Sequence, residues 1–390
     1  MNIDVSLRTL DSFDIKEVES AVREGFADMK IERLLRPKMR VLLKVCMPDN
    51  LHPDKALTTN PSIARGIINV LTDLGVSVVV ADSPYGKYTD THLEEVYITT
   101  GMLDVANSSK CELDRSLATG MLFTPNGIKA RSIQILDIVN QVDAIINLGK
   151  IKMNDRIGFS GVCDNIFGLV PGEVKTQIIR RLDRVKDYND YIIDMLDALE
   201  DKIILNIADA VVAVENGETQ RMLSCLGMSS NPYALDAAFV NIIGMDPKNT
   251  IIKQAMDRAK IDIKTPYKMV GEKIDKFKVE DFAFSEVEED KKLNDYTATQ
   301  QKIYFNNNIE HVVIKPNTCK GCTICSKKCP VGAILMKYDK NGELYAEVDY
   351  KKCIFCNQCK MSCPYSVIDV KTPLGHRSIQ KQINKYNKDA

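Results

Sequence analysis

The sequence predicts an α/β fold, a large body built mainly on a parallel sheet as one unit or two lobes, followed by a small carboxy-terminal α+β domain. Three observations lead there. Between residues 41 and 259 short apolar runs alternate with amphipathic ones, the rhythm of strand, helix and strand. From about Phe277 to Asn308 that texture gives way to charged and polar residues with little periodicity. Beyond it, eight of the twelve cysteines crowd between Cys319 and Cys363. The expected organisation is an α/β domain over 1–276, a charged linker or arm over 277–308, a cysteine-bearing domain over 309–372 and a basic tail over 373–390.

In chain order, Val41 to Cys46 reads as a buried strand, because its run is apolar except for Lys44. Pro61 to Leu74 has helical spacing and Gly75 ends it; Val76 to Ala81 and Ala144 to Leu148 are further strands. A helix is expected from about Tyr188 to Leu199, strands near Ile203 to Ile207 and Val211 to Val214, and helices from about Pro232 to Ile243 and Thr250 to Ala259. Ser285 to Lys292 is the charge run of the expected linker. No apolar run approaches the roughly eighteen residues that span a bilayer, so membrane insertion is not expected. The opening residues lack the charged-then-apolar pattern of a signal peptide, which together with singly scattered remaining cysteines points to a reducing, cytoplasmic setting.

The eight clustered cysteines form two copies of one spacing: Cys319, Cys322, Cys325, Cys329-Pro330, then Cys353, Cys356, Cys359, Cys363-Pro364. This C-x2-C-x2-C-x3-C-P run is the ligand pattern of two-cluster bacterial ferredoxins, in which the fourth cysteine of each run reaches the other cluster. Three cysteines on a tight loop can meet three corners of one [4Fe-4S] cube, whereas the fourth is aimed away. The expected ligands are Cys319, Cys322, Cys325 and Cys363 for one cluster, and Cys353, Cys356, Cys359 and Cys329 for the other. Zinc sites instead use paired C-x2-C with four ligands per metal. Disulfides do not suit a reducing compartment. Val331-Gly332-Ala333-Ile334 and Tyr365-Ser366-Val367-Ile368 occupy matching positions, so the domain reads as a pseudo-twofold repeat.

The overall formal charge of −1 hides an asymmetry. From Lys315 onward there are 14 Lys plus Arg against 6 Asp plus Glu, and upstream 38 against 47. Lysines such as Lys320, Lys327, Lys328 and Lys360 either balance the negative charge of cysteine-ligated clusters or form a basic docking face. The partner of such a face would be a ferredoxin- or flavodoxin-like electron donor, another redox enzyme, or the acidic body of this chain. Nucleic acid is disfavoured, since the aromatic interleaving of stacking surfaces is missing.

Seven blocks of the body occur in order: Lys44 to Asn50, Thr59-Asn60-Pro61, Ala81 to Gly86, Ile146 to Lys152, Asp164 to Gly168, Ala208-Asp209-Ala210 and Ser229 to Ala237. Together they resemble the domain of unknown function 362 family over roughly Val41 to Gly244. The resemblance implies a two-part α/β fold and partnership with a ferredoxin module, and it supplies no agreed reaction. The chain departs from the family pattern with Asn154, where a histidine is usual, and with Asp164, where a lysine is usual.

Read physically, these blocks place polar residues at the carboxyl ends of strands, where open α/β sheets bind ligands. Asp82 to Gly86, Lys150 to Asn154 and Asp209 are expected to meet in one cleft. Lys44 either faces that cleft, binding an anion or donating a proton, or snorkels outward. Lys150 and Lys152 alternate with Ile151 and point to one side of an extended chain, a pair suited to a carboxylate or phosphate, with backbone amides near Gly158 and Gly161 as further donors. Asp209 is a candidate general acid or lysine partner, and Cys163 a candidate reactive thiol or small buried side chain. No G-x-G-x-x-G follows a strand and no phosphate-binding G-x-x-x-x-G-K-[ST] occurs; a flavin site is left open.

The functional expectation is an iron-sulfur protein of anaerobic metabolism, a ferredoxin-dependent oxidoreductase relaying single electrons through two [4Fe-4S] clusters to an anionic small molecule held by Lys44, Lys150 and Lys152, with Asp209. Two alternatives stand beside it. One is an electron carrier or redox adapter whose large domain binds a partner protein, and the other a non-redox enzyme with structural or oxygen-sensing clusters.

Overall fold

The computed structural model describes residues 3–86, 88–154, 156–182, 184–216, 219–262, 267–284, 287–291, 293, 311–329, 332–350, 353 and 358–371. The chain divides into two compact units, Met1–Leu293 and Asn294–Ala390.

The first unit runs β1 (Asp4–Thr9), α1 (Ile15–Met29), β2 (Arg40–Lys44), α2 (Pro61–Asp73), β3 (Ser77–Ala81), α3 (Asp90–Thr99), α4 (Met102–Ser108) and β4 (Cys111–Leu113). A hairpin of β5 (Thr119–Phe123) and β6 (Ser132–Leu136) follows, then β7 (Ala144–Asn154), β8 (Gly158–Ser160), α5 (Val162–Asn165), α6 (Gly172–Arg181) and α7 (Val185–Ala198). The unit closes with β9 (Ile203–Val214), β10 (Gln220–Ser229), α8 (Pro232–Ile242), α9 (Ile251–Asp257) and β11 (Lys268–Met269).

Nine of these strands form one sheet in the order β11-β1-β10-β9-β7-β2-β3-β4, with β8 paired to β7. Pairing is parallel from β4 through β3, β2 and β7 to β9, whereas β10 is antiparallel to both β9 and β1. The large sheet is thus mainly parallel. Its central strands read as continuous apolar runs because both faces are covered. Leu42 and Ile145 point into a core with α5 to α9, while Val41, Leu43, Ile146 and Ile207 point into a second core with α1 to α4. The two-residue alternation of strand side chains assigns each position to one core or the other.

Local chemistry starts the helices that matter most here. Asn60 caps α2 by accepting the Ser62 N–H at 2.9 Å, with Pro61 at the first helical position. Asn231 and Pro232 repeat that device on α8, where the Asn231 side chain accepts from Ala234 N–H at 2.9 Å.

Two expectations are corrected. Strand β9 is one element rather than two, because Asp209 in its middle is partnered within the sheet and does not mark a turn. In the segment expected as a linker, Phe277, Phe282, Val287 and Leu293 are buried in the core of the first unit. The carbonyls of Lys291 and Glu289 accept the N–H groups of Val185 and Lys186 at 3.0 and 2.9 Å. They satisfy donors that the first turn of α7 leaves without intrahelical partners. The rest of that segment, residues 294–308, lies outside the described residues, as does the basic tail from residue 373.

In the second unit, β12 (His311–Ile314) pairs antiparallel with β15 (Ile368–Lys371), and β13 (Ile334–Tyr338) with β14 (Leu344–Val348). Two short helices, Ile324–Lys328 and Gln358–Met361, pack together. The unit is a small α+β domain whose core is Val312, Ile314, Ile334, Ala346, Val348 and Ile368 with the buried cysteines Cys325 and Cys359. Its halves repeat in backbone detail. Gly332 and Ser366 both have positive φ, +61° and +52°, and their N–H groups bond to the carbonyls of Cys329 and Cys363, each at 3.3 Å.

Candidate functional site

The second unit gathers cysteines from both runs. Cys319, Cys322, Cys325 and Cys363 line one cavity, together with Lys320, Thr323, Ala346 and Tyr365 among others. Cys329 is not part of that lining; with Cys353 it packs, half-buried, against the same small core as Cys359. Cys356 lies outside the described residues. The loop before Cys322 is shaped by Gly321, at φ +60°, where a Cβ would stand 2.5 Å from the Leu344 carbonyl oxygen, so no larger residue fits.

Two of these sulfurs accept backbone N–H groups. The Ala346 N–H donates to Cys319 Sγ at 3.4 Å and the Ala333 N–H to Cys329 Sγ at 3.2 Å. Burial pushes the Cys325 thiol up to about 11, and Cys319, Cys322 and Cys359 push the same way. Cysteine sulfurs of this kind are the donor type that a [4Fe-4S] cluster takes.

In the first unit the strand order turns back between β2 and β7, where open α/β sheets form their ligand crevice. Lys44, at the end of β2, points to the same face as Leu42 and is fully buried. Its Nζ lies 3.0 Å from Asp82 Oδ1 and donates to Asn165 Oδ1 at 3.2 Å. Asn165 Nδ2 donates to Asn147 Oδ1 at 2.8 Å, and Asn147 Nδ2 to Asn206 Oδ1 at 2.9 Å. An ion pair and three amides thus run as one buried chain across β3, β2, β7 and β9. Burial of this kind is tolerable only because each polar group has a partner.

Lys175 of α6 joins the same face. It is 2% exposed, donates to the Ser83 carbonyl and stands 5.0 Å from the centre of the Tyr85 ring. Burial lowers its pKa to about 8; the nearby Asp82 opposes the shift and Lys44 adds to it.

Lys150, Lys152 and Asp209 occupy the opposite face, toward α2. Lys150 Nζ and Asp209 Oδ1 form a buried ion pair at 2.9 Å, and the Asn60 N–H reaches Asp209 Oδ2 at 3.4 Å. Lys152 is half-buried and donates to the Leu57 carbonyl at 3.0 Å and Cys46 Sγ at 3.3 Å. The expected single cleft is thus corrected, since strand alternation sends Lys44 to one side of the sheet and the β7 lysines to the other.

The amides expected near Gly161 are also occupied. Asp236 accepts the N–H groups of Val162 and Cys163 at 2.8 and 2.9 Å, so the anion at the start of α5 is the chain's own carboxylate. Burial raises Asp236 to about 6 and holds the Cys163 thiol well above its usual range, as a packed and unreactive side chain.

Sequence reasoning passed over Asn147, Asn206 and Lys175. An amide inside an otherwise apolar strand was the available signal for the two asparagines. Lys175 gave none, because a lysine in an amphipathic helix is ordinarily at the surface.

Residues 41–241 match the domain of unknown function family DUF362, and residues 318–367 match the 4Fe-4S dicluster domain. The second unit is therefore a ferredoxin-type domain equipped for two [4Fe-4S] clusters. Among curated proteins, a thylakoid-associated protein of Synechocystis is 23% identical over 232 residues, 57% of this chain and 69% of that protein. An uncharacterized ferredoxin of Methanocaldococcus jannaschii is 33% identical over 60 residues, 15% of this chain and 77% of that one. Among solved structures, the lactate racemase apoprotein from Thermoanaerobacterium thermosaccharolyticum aligns at a TM-score of 0.37 and 15% identity, over 58% of this chain and 54% of that one. The chain thus spans about half the length of that solved structure. Among the described residues, no helix is long and apolar enough to cross a membrane.

Proposed function

Because the chain belongs to the DUF362 family of domains of unknown function and carries a 4Fe-4S dicluster domain, we propose that it is a ferredoxin-dependent oxidoreductase. In this reading it takes up single electrons at its second unit and delivers them to an anionic small molecule bound by its α/β unit. The observation that carries the electron-transfer half is the meeting of Cys319, Cys322, Cys325 and Cys363 around one cavity. Cys353, Cys356, Cys359 and Cys329 would hold the second group. When bound, the two [4Fe-4S] clusters supply one-electron redox chemistry.

The anion-binding half rests on charge. Lys44 and Lys150 are each neutralised by a buried carboxylate, Asp82 and Asp209, on opposite faces of the sheet, so neither offers its charge to an anion. Lys152 is half-buried and has no carboxylate partner among the described residues, which leaves its ammonium group as the contact for a carboxylate or phosphate.

Anaerobic purification, with iron and sulfide quantitation and mass spectrometry of retained small molecules, tests both halves. About eight iron and eight sulfide per chain are expected, with an anion retained by the native protein and lost from Lys152→Ala. A full complement of iron in a protein that retains no anion, and binds none in a screen of carboxylates and phosphates, would overturn the substrate half alone.

An exposed apolar row on the β5–β6 hairpin favours a second reading, a redox adapter whose α/β unit binds a protein. Met121 and Phe123 alternate outward on β5, with Ile128 in the turn also exposed. Capture of a stoichiometric partner that is lost in Phe123→Asp, with no anion bound, would select it.

A further inference from the structure

We infer that the second unit presents a docking face for an acidic one-electron carrier protein of the ferredoxin kind, formed by Lys320, Lys327 and Lys328 around Ile324 and Tyr365 at the Cys319/Cys322/Cys325/Cys363 cavity. The inference rests on the electron-transfer reading above and adds the partner and its place of entry. Four observations support it.

Placement comes first. Lys320 and Tyr365 line the cavity itself, beside Cys319 and Cys363. On the helix Ile324–Lys328 the buried Cys325 faces inward, while Ile324, Lys327 and Lys328 are exposed. Residues three and four apart share a helix face, so Ile324 lies beside both lysines.

Charge comes second. In the same unit Lys315 pairs with Asp369 at 3.1 Å and Lys337 pairs with Glu347. Lys320, Lys327 and Lys328 have no carboxylate partner among the described residues. Lysines that only offset the charge of a buried cluster would lie against it; Lys327 and Lys328 are exposed and stand outside the cavity lining.

Third, the face has the anatomy of an interface, an apolar centre within a charged rim. Ile324, next to the buried Cys325, is 38% exposed, and Tyr365, in the cavity lining, is 52% exposed. Fourth, the residues from Lys315 onward carry 14 basic against 6 acidic side chains, so an acidic protein is steered toward this unit from a distance.

The position over a thiol-lined cavity favours a redox protein over a lipid surface or a nucleic acid, neither of which needs to approach that cavity. With clusters bound, docking would let one electron pass from the reduced centre of the carrier to the centre that these cysteines would hold, with no bond made or broken.

The test uses the full chain with both clusters, purified anaerobically, and an acidic two-cluster ferredoxin as probe. Its affinity is measured by calorimetry at low and high salt, and its contacts by carbodiimide cross-linking of lysines to carboxylates. The triple variant Lys320→Glu, Lys327→Glu, Lys328→Glu should bind at least tenfold more weakly at low salt, with a flattened salt dependence and unchanged iron content. The native protein should cross-link through these lysines. A control with the same change in net charge, Lys16→Glu, Lys30→Glu, Lys38→Glu in the first unit, should stay within about threefold of native if the named face, not net charge, governs binding. Equal weakening of both variants, or cross-links confined to other lysines, would overturn the docking face. So would binding to phosphatidylserine vesicles that the triple variant loses while its ferredoxin affinity is unchanged. Loss of iron would instead mark a failure of the electron-transfer reading.

Discussion

Lys44 Nζ and Asp82 Oδ1 stand 3.0 Å apart at the ends of two adjacent parallel strands, both side chains shut off from solvent. Asp82 also accepts the backbone N–H groups of Met47 and Ser83, and Lys44 donates to Asn165. The pair is thus fully hydrogen-bonded. Removing one partner strands a buried charge, whereas removing both leaves an apolar gap. Lys44→Met should cost about 3–5 kcal/mol, and Lys44→Met with Asp82→Leu distinctly less, as read from urea unfolding midpoints.

Gly168 closes over the same pair. A Cβ there would lie 2.0 Å from Asp82 Oδ1 and 2.3 Å from Lys44 Nζ, closer than any real contact. Gly168→Ala must therefore displace the ion pair, and a loss of roughly 2–4 kcal/mol is expected, of the size seen for overpacking and broken buried networks. The double variant lacking both charges should tolerate the alanine better, a coupling that a double-mutant cycle would measure.

Lys175 should make stability depend on pH in the alkaline range. Burial depresses its pKa from 10.5 to about 8. The unfolded chain thus binds the proton more tightly, so the stabilising contribution is full above about 10.5, falls as pH drops, and is lost below about 8. The span is about 3 kcal/mol. Lys175→Met should lack this slope and be the more stable protein at pH 7, as read by denaturant unfolding between pH 7 and 11.

The crossed assignment of cysteines distinguishes two single variants. Cys363→Ala should damage the cluster held with Cys319, Cys322 and Cys325, although Cys363 belongs to the second run. Cys329→Ala should damage the other. Iron and sulfide should fall from about eight toward four per chain in each, and the electron paramagnetic resonance signals lost should differ. The same signal lost from both variants would rule out the crossing.

The mainly parallel body was legible from short-range pattern, since apolar strands such as Val41 to Cys46 and an Asn-Pro helix start such as Asn60-Pro61 carry their own instructions. Strand β10 was not, because polar residues such as Gln220, Arg221 and Ser224 interrupt its apolar pattern. The burial of Val287 and Leu293 was hidden by the acids around them, since an isolated apolar residue in a charged run acquires a role only when α7 and α9 offer it a core.

By itself the sequence determined the cysteine set and the repeat that carries it, because ligand spacing within a run is a property of a few consecutive backbone angles. It also determined which lysines lie near strand ends. Only the tertiary structure decided that Lys44 would meet Asp82 and Lys150 meet Asp209, on opposite faces of the sheet. Each of those partners comes from a strand distant in the chain, and the sheet's order and two-residue alternation, not local propensity, select which charges are buried together.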